Sequence, residues 1–201
     1  MNHIIPFVQQ SQEYLPFTVS EFDSSLQRIK ESGADAVLMT LVGGASVGFN
    51  VSYAGFGLDE QAIRLGTLIE ENTLAGIGVE NANGLYSSSG YFASIETDTA
   101  AAFSESYTAV YGADGAALNS LGQSTYEGLQ LLAALGNKAG SLDVAAMDAA
   151  AEGTMWDTPR GTNTLVGRHV AQTIYLADGT GGAFDIVTSF DNVASSDDCT
   201  N

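Results

Sequence analysis

Apolar residues in the first part of the chain alternate between helical spacing and short continuous runs. In SEFDSSLQRIKESG, Phe22, Leu26 and Ile29 fall on one face of a predicted helix. Ser20 occupies the position of its N-terminal cap, and Gly33 supplies a left-handed end. The next run, DAVLMTLV, is apolar at successive positions, which is typical of a strand buried on both faces of a parallel sheet.

The same alternation continues after the glycine pair Gly43–Gly44. A second helix is predicted to follow the pair and to end near Gly55 or Gly57. The pattern then predicts a strand in AIRLGTL, a short helix in EENTLAGIG and an extended segment in GLYSSSGYFAS. Acidic residues begin the short helix, where the helix dipole favours them. Strands that alternate with helices in this way predict an α/β fold.

Long helices dominate from Glu96 onward. Three helical segments are predicted, in TDTAAAFSESYTAVYG, SLGQSTYEGLQLLAALGNKAG and SLDVAAMDAAAEG. The second carries Tyr126, Leu129, Leu132 and Ala133 on one face. Four β segments follow, TMWDTPRG, TNTLVGRH, AQTIYLADG and GAFDIVTSF, with DGTGG as a hairpin connection. The chain therefore passes from α/β alternation to a helical block and back to short strands.

The net charge and hydropathy of the chain narrow the classes of molecule that it could bind. The 201 residues include 24 acidic and 6 basic side chains, for a formal net charge of -18. Such a field repels phosphate backbones, so nucleic-acid binding is not expected. No apolar run reaches the roughly 20 residues of a membrane helix, so membrane insertion is not expected either. The 45% hydrophobic content is sufficient for a packed core.

Catalytic motifs are sparse. GGASVG resembles a dinucleotide loop, but Ala45 stands where the second glycine would admit a pyrophosphate, so a nucleotide-using enzyme is only an alternative. His3 and His169 lack metal or triad spacing, and a single cysteine, Cys199, cannot form an internal disulfide. We therefore expect no catalytic residues, no metal and no cofactor.

The ends of two predicted strands give the best candidate for a binding site. Thr40, Leu41 and Val42 end the first strand, and Thr67 and Leu68 end the second. Because carboxyl ends of neighbouring parallel strands share one edge of a sheet, these residues should lie side by side. Ligands of open α/β sheets bind beyond that edge. Glu70 and Glu71 follow as acids of the helix start.

The order of these segments resembles a known family. EYLPF, SEFDSSLQRIKESGADAVLMTLVGG, LGTLIEENTLAGIG and GLYSSSGYFASIET are similar to solute-binding proteins of urea and short-chain amide ABC importers. AAFSESYTAVYGADGAALNSLGQSTYEGLQLLAAL, AGSLDVAAMDAAAEG and TPRGTNTLVGRHVAQTIYLADGTGGAFDIV continue the likeness, which covers roughly residues 13–188. These proteins have the type I periplasmic binding fold and belong to the branched-chain amino-acid group.

The resemblance implies two α/β lobes with a parallel sheet and flanking helices, one nearly complete and one partial. Residues 1–94 correspond to the main part of lobe two, and residues 95–153 to a helical remnant of lobe one. Residues 154–190 return to lobe two as short strands, and residues 191–201 form a polar tail. The opening units of lobe one have no counterpart, so the chain is expected to be truncated at its N-terminus.

The function implied is the substrate-binding component, or a fragment of one, of an ABC importer. A small polar solute (urea, a short-chain amide or an amino acid) would be held by lobe closure. By resemblance the ligand contacts on lobe two are Thr40, Leu41, Val42, Gly43, Thr67 and Leu68.

The resemblance further implies ABC permease subunits as partners and a periplasmic or extracellular, membrane-associated location in full-length relatives. The N-terminus MNHIIPFVQQ does not have the pattern of a signal peptide. A cytoplasmic amide-sensing regulator of the same fold, and a nonfunctional truncated product, are alternatives. With only half of a cleft, this chain is expected to bind its solute weakly or not at all.

Overall fold

The computed structural model of the chain describes residues 8–112 and 114–194, so His3 and Cys199 lie outside the described residues. Helices and strands alternate up to residue 89, a run of three helices follows, and strands end the described part. The helices are α1 (Asp23–Ser32), α2 (Gly44–Gly55), α3 (Glu71–Ile77), α4 (Asp98–Tyr111), α5 (Ser120–Ala139) and α6 (Val144–Ala149). The strands are β1 (Ala36–Met39), β2 (Ile63–Gly66), β3 (Leu85–Ser89), β4 (Met155–Thr158), β5 (Gly161–Val166), β6 (His169–Asp178) and β7 (Asp185–Val193).

One mixed sheet contains all of these strands, in the order β1-β2-β3-β6-β5-β4, with β7 paired to β6. The first three strands are parallel, and the others pair antiparallel. Strand β6 joins the two parts, because its end pairs with β3 while its start pairs with β5. Strand β7 runs to Val193, so residues 191–193 of the predicted tail belong to the sheet.

The packed unit, which we define as α1–α3 with β1–β3, holds most of the hydrophobic core. Phe22 packs edge-on against Phe49 of α2, with ring centroids 5.5 Å apart. Leu26, Tyr53 and Leu74 are also buried there. The apolar face predicted for the first helix is therefore the face that enters the core.

The predicted cap of α1 is wrong. The helix begins at Asp23, its N-cap is Phe22, and no side chain caps it within the part of the chain that the structure describes. Phe22 is buried against Phe49, so core packing fixes the start of the helix two residues beyond Ser20. Gly33 ends the helix with φ 64°, as predicted.

Strand β1 is less covered than its apolar sequence predicts. It is four residues long and lies at the edge of the sheet. Met39 is buried against the helices, but Leu38 points to the other face and is 68% exposed. A continuous apolar run indicates a strand with two apolar faces. In β1 the described residues cover only the face that carries Met39.

In the helical block, which we define as α4–α6, helix α5 shows the opposite packing. The face of α5 that lies against β4 carries the buried polar residues Gln123 and Glu127. Its predicted apolar face is turned outward, where Leu129 is 65% exposed and Leu132 is 53% exposed. Asp143 caps α6 by accepting a hydrogen bond from the Ala146 N–H at 3.1 Å.

Candidate functional site

Two threonines stand side by side at the carboxyl edge of the parallel strands. Met39 and Gly66 are register partners in β1 and β2, and each is followed directly by a threonine. The Thr67 N–H donates to the Met39 carbonyl at 3.3 Å, which fixes Thr67 beside Thr40. Both threonines are exposed. Thr40 and Thr67 therefore lie at the same edge, as the sequence predicts.

The start of α2 brings backbone donors to this edge. Gly43 is the N-cap with φ 59° and ψ -132°, a conformation that favours glycine, and no described side chain caps the helix. The Gly43 carbonyl accepts from Ser46 and Val47, so the N–H groups of Gly44 and Ala45 precede the first intrahelical bonds. These N–H groups carry the partial positive charge of the helix terminus.

Apolar side chains flank the two hydroxyls. Val42 is 54% exposed and Leu68 is 47% exposed, while Leu41 is half-buried against the core. We use the name rim for the six residues that the structure brings to this edge: Thr40, Leu41, Val42, Gly43, Thr67 and Leu68. Hydroxyls, backbone donors and an apolar wall can together hold a small molecule that has one oxygen acceptor and a short apolar part.

The acidic pair next to the rim is turned toward the protein. Glu71 Oε1 accepts from the Ala93 N–H at 2.6 Å, which joins α3 to the segment after β3. Burial raises the pKa of Glu71, and the Ala93 N–H offsets part of this rise. Burial also raises the pKa of Glu70, which the backbone N–H of Leu121 at the start of α5 lowers in part. Both acids therefore connect structural elements.

Tyr91 lies behind this acidic pair and is 1% exposed. Burial raises its pKa to about 12, and the neighbouring Glu71 carboxylate adds to the rise. Its ring packs edge-on against Phe103 of α4, with centroids 6.4 Å apart. Tyr91 therefore contributes to the junction between the packed unit and the helical block.

Residues 8–112 and 114–194 contain no cluster of three or more His, Cys, Asp or Glu side chains placed to hold a metal ion. Within the same ranges, no helix combines the length and hydrophobicity that crossing a bilayer requires.

Two buried arginines were not singled out by the sequence. Arg64 of β2 is 0% exposed, and its guanidinium lies 4.6 Å from the centroid of the Tyr53 ring. Arg160, in the turn between β4 and β5, is 6% exposed and pairs with Glu127. The sequence held one indication of their importance. The chain has only 6 basic residues, and Arg64 and Arg160 lie within predicted β segments.

Comparison with known proteins gives one family. Residues 8–183 match the family model described as periplasmic binding protein. The Leu/Ile/Val-binding protein homolog 6 of Brucella melitensis is 30% identical over 171 residues, which are 82% of this chain and 43% of that protein. The predicted membership of the type I periplasmic binding proteins is confirmed.

Solved structures agree on the fold. A solute-binding protein of an ABC transporter from Rhodopseudomonas palustris HaA2, in complex with p-hydroxybenzoic acid, has a TM-score of 0.78 and 26% identity. It is matched over 89% of this chain and 51% of its own. An amino acid ABC transporter substrate-binding protein from Pseudomonas fluorescens Pf-5 has a TM-score of 0.80 and 17% identity. The match covers 94% of this chain and 52% of that protein's chain. The predicted α/β class is confirmed, and the chain spans about half the length of these proteins.

Proposed function

The chain belongs to the periplasmic binding protein family, and from this premise we propose that it contributes one side of the solute site of an ABC importer's binding protein. The role is binding without chemical conversion of the solute. In a longer protein of this family the partners are the permease subunits and the location is periplasmic or extracellular at the membrane.

The observation that carries the proposal is the adjacency of Thr40 and Thr67. The two residues lie side by side at the carboxyl edge of β1 and β2, next to the start of α2, which no described side chain caps. Ligands of open α/β sheets bind outside this edge, where backbone groups are free and side chains from several strands converge. The rim is therefore the part of the described chain best suited to meet a solute.

The chemistry of the rim favours a small solute with an oxygen acceptor. The threonine hydroxyls and the N–H groups of α2 donate to a carbonyl or carboxylate, and Val42 and Leu68 cover a short apolar part. Short-chain amides and amino acids fit this description, and urea offers the carbonyl alone. The relatives add Leu/Ile/Val and p-hydroxybenzoic acid, which combine a carboxylate with an apolar part.

We further propose that the rim supplies only one lobe of the cleft. Residues 1–94 and 154–190 would form lobe two, since β3 and β6 join them in one sheet. Residues 95–153 would belong to lobe one, and the exposed apolar face of α5 supports this assignment. Each buried hydrogen bond nets about 1 kcal/mol, so a few contacts on an open rim cannot reach micromolar affinity, which requires about -8 kcal/mol.

Amide chemical shifts of the ¹⁵N-labelled chain test the proposal. Acetamide, urea, leucine and 4-hydroxybenzoate are titrated separately into the millimolar range. At least one of them is expected to shift the amide signals of Thr40, Gly44 and Thr67 more than those of the rest of the chain. Removing one hydroxyl with Thr67→Val is expected to weaken this binding by about fivefold, the equivalent of one hydrogen bond.

The matched control is Thr188→Val, which removes an exposed hydroxyl from β7, away from the rim. It is expected to titrate like the unchanged chain. Shifts that cluster at another surface, or an equal response of Thr67→Val and the control, would contradict the proposal.

A further inference from the structure

Arg160 connects three separate parts of the molecule, its own turn, α5 and β6, through one guanidinium group. Its backbone lies in the turn between β4 and β5, and its Nε donates to Glu127 Oε2 of α5 at 2.7 Å. Nη1 donates to Gln172 Oε1 of β6 at 2.7 Å, and Nη2 donates to Ser124 Oγ of α5 at 3.0 Å. Every nitrogen of the side chain is therefore engaged, and the contacts span the helical block and the sheet.

The carboxylate that faces Arg160 is equally occupied. Glu127 is 5% exposed; its Oε2 also accepts from Gln123 Nε2 at 2.8 Å, and its Oε1 accepts from Asn163 Nδ2 of β5. Gln123 and Asn163 are themselves buried. Removing either partner would leave the other charge buried without compensation, which is strongly unfavourable.

The segment that leaves β3 and the strand that follows the helical block both come close to Arg160. The segment that leaves β3 runs past it at Gly90, where a Cβ would collide with Arg160 Nη1. At the end of that segment, the N-cap of α4, Thr97, donates through Oγ1 to the Pro159 carbonyl at 3.2 Å. The first strand after the helical block, β4, ends at the turn that contains Arg160. Arg160 thus lies beside the segment that leaves β3 and at the end of the strand that follows the helical block.

We propose that Arg160 is a positioning residue: its fork of contacts to Glu127, Ser124 and Gln172 fixes the orientation of the helical block relative to the sheet. Neither face of α5 could do this alone, since the apolar face is exposed and the face toward β4 is polar. That this orientation in turn affects solute binding rests on the function proposed above. The orientation can be measured without any solute, so the two proposals fail separately.

Distances between two spin labels test the proposal. Cys199, the only cysteine of the sequence, is replaced by serine, and labels are placed at the exposed positions Gln27→Cys on α1 and Asn137→Cys on α5. The labelled chain with Arg160 unchanged is expected to give one narrow distribution of distances between the packed unit and the helical block. Arg160→Met, which keeps the aliphatic stem and removes the fork, is expected to broaden or split it.

Arg160→Lys is the second variant, because it keeps the charge beside Glu127 and loses the contacts of the fork. It is expected to broaden the distribution as well, while hydrogen exchange of α2 amides stays unchanged and exchange at the start of α5 rises about tenfold. Should Arg160→Met fail to fold, this variant still gives the answer. Gly90→Ala displaces the guanidinium by collision and is expected to act in the same direction.

The matched controls are Arg168→Met and Gly181→Ala. Arg168 forms an exposed ion pair with Asp148, and a Cβ on Gly181 would meet open space. Both are expected to leave the distance distribution narrow. An unchanged distribution in Arg160→Lys and Gly90→Ala would overturn the proposal, as would equal broadening in the controls.

Discussion

The packed unit and helix α5 of the helical block pack in opposite ways within one chain. In the packed unit the apolar faces of α1, α2 and α3 enter a common core, and even the charged Arg64 is enclosed. In the helical block α5 turns polar side chains to the sheet, and Leu129, Leu132 and Leu142 lie outward with exposures of 65%, 53% and 85%. An apolar stripe identifies a face that can be covered, and the described residues cover it in the packed unit but leave it exposed on α5.

The difference extends to charge. The guanidinium of Arg64 donates to Asn50 Oδ1 at 2.8 Å and to the carbonyls of Asn81 and Asn83 at 2.9 and 2.6 Å. These acceptors come from the middle of α2 and from the segment before β3, so the cation on β2 connects three parts of the packed unit. Arg160 performs the comparable task between the sheet and the helical block, where hydrophobic contacts are fewer.

The largest expected effect follows from removing the cation of the packed unit. Arg64→Ala leaves buried acceptors unpaired and a cavity beside Tyr53, and is expected to lower the free energy of unfolding by about 3–5 kcal/mol. Arg28→Ala, at an exposed ion pair with Glu13, is the control and should cost at most about 1 kcal/mol. Urea denaturation of both variants measures the free energy of unfolding. Equal losses in the two variants would show that Arg64 does not hold the packed unit together.

A pair of leucine truncations compares the two regions directly. Leu74→Ala in the packed unit, where the side chain is 2% exposed, is expected to cost about 2–5 kcal/mol. Leu132→Ala in the helical block should change stability by no more than about 0.5 kcal/mol, since little surface is uncovered. The same denaturation experiment measures both. A comparable loss in Leu132→Ala would mean that the face of α5 is covered in solution.

The smallest expected effect appears at alkaline pH. Burial raises the pKa of Tyr53 from 10.0 to about 12, with Arg64 lowering it and Asp59 raising it. The pKa of Tyr53 is therefore higher in the folded than in the unfolded chain. Its contribution to the free energy of unfolding is fully present below about pH 10. As the pH rises toward about 12, this contribution falls by about 2 kcal/mol.

Tyr53→Phe tests this contribution because it removes the ionisable group. The variant also loses the hydrogen bond from Tyr53 to the Ala62 carbonyl, so it should be slightly less stable at pH 7. Between about pH 10 and 12 its unfolding free energy should fall less steeply than that of the unchanged chain. Parallel slopes over this range would show that Tyr53 does not ionise on unfolding as described.

Sequence reasoning was strongest where one rule determines the geometry. The adjacency of Thr40 and Thr67 follows from parallel pairing, because carboxyl ends of neighbouring strands must share an edge. The order and type of the helices and strands followed from periodicity. Gly33 as a helix end followed from the left-handed conformation that glycine adopts readily.

Sequence reasoning failed where the outcome depends on what lies opposite. The stripe of Leu129 and Leu132 gives a face but no direction, and the polar residues Gln123 and Glu127 became the buried side because Arg160 and Asn163 meet them there. The cap expected at Ser20 was displaced by the packing of Phe22. In each case contacts distant in sequence outweighed the local pattern.

Calorimetric titration of the monomeric chain tests most directly the central claim, that the rim is one side of a two-sided solute cleft. Urea, acetamide, leucine and 4-hydroxybenzoate are injected in turn, and sedimentation confirms that the chain stays monomeric. We expect a Kd no tighter than about 1 mM for any of them, because the rim alone offers few contacts. A monomer that binds one of these solutes with a Kd of about 1 μM would contradict the claim, since it would possess a complete site.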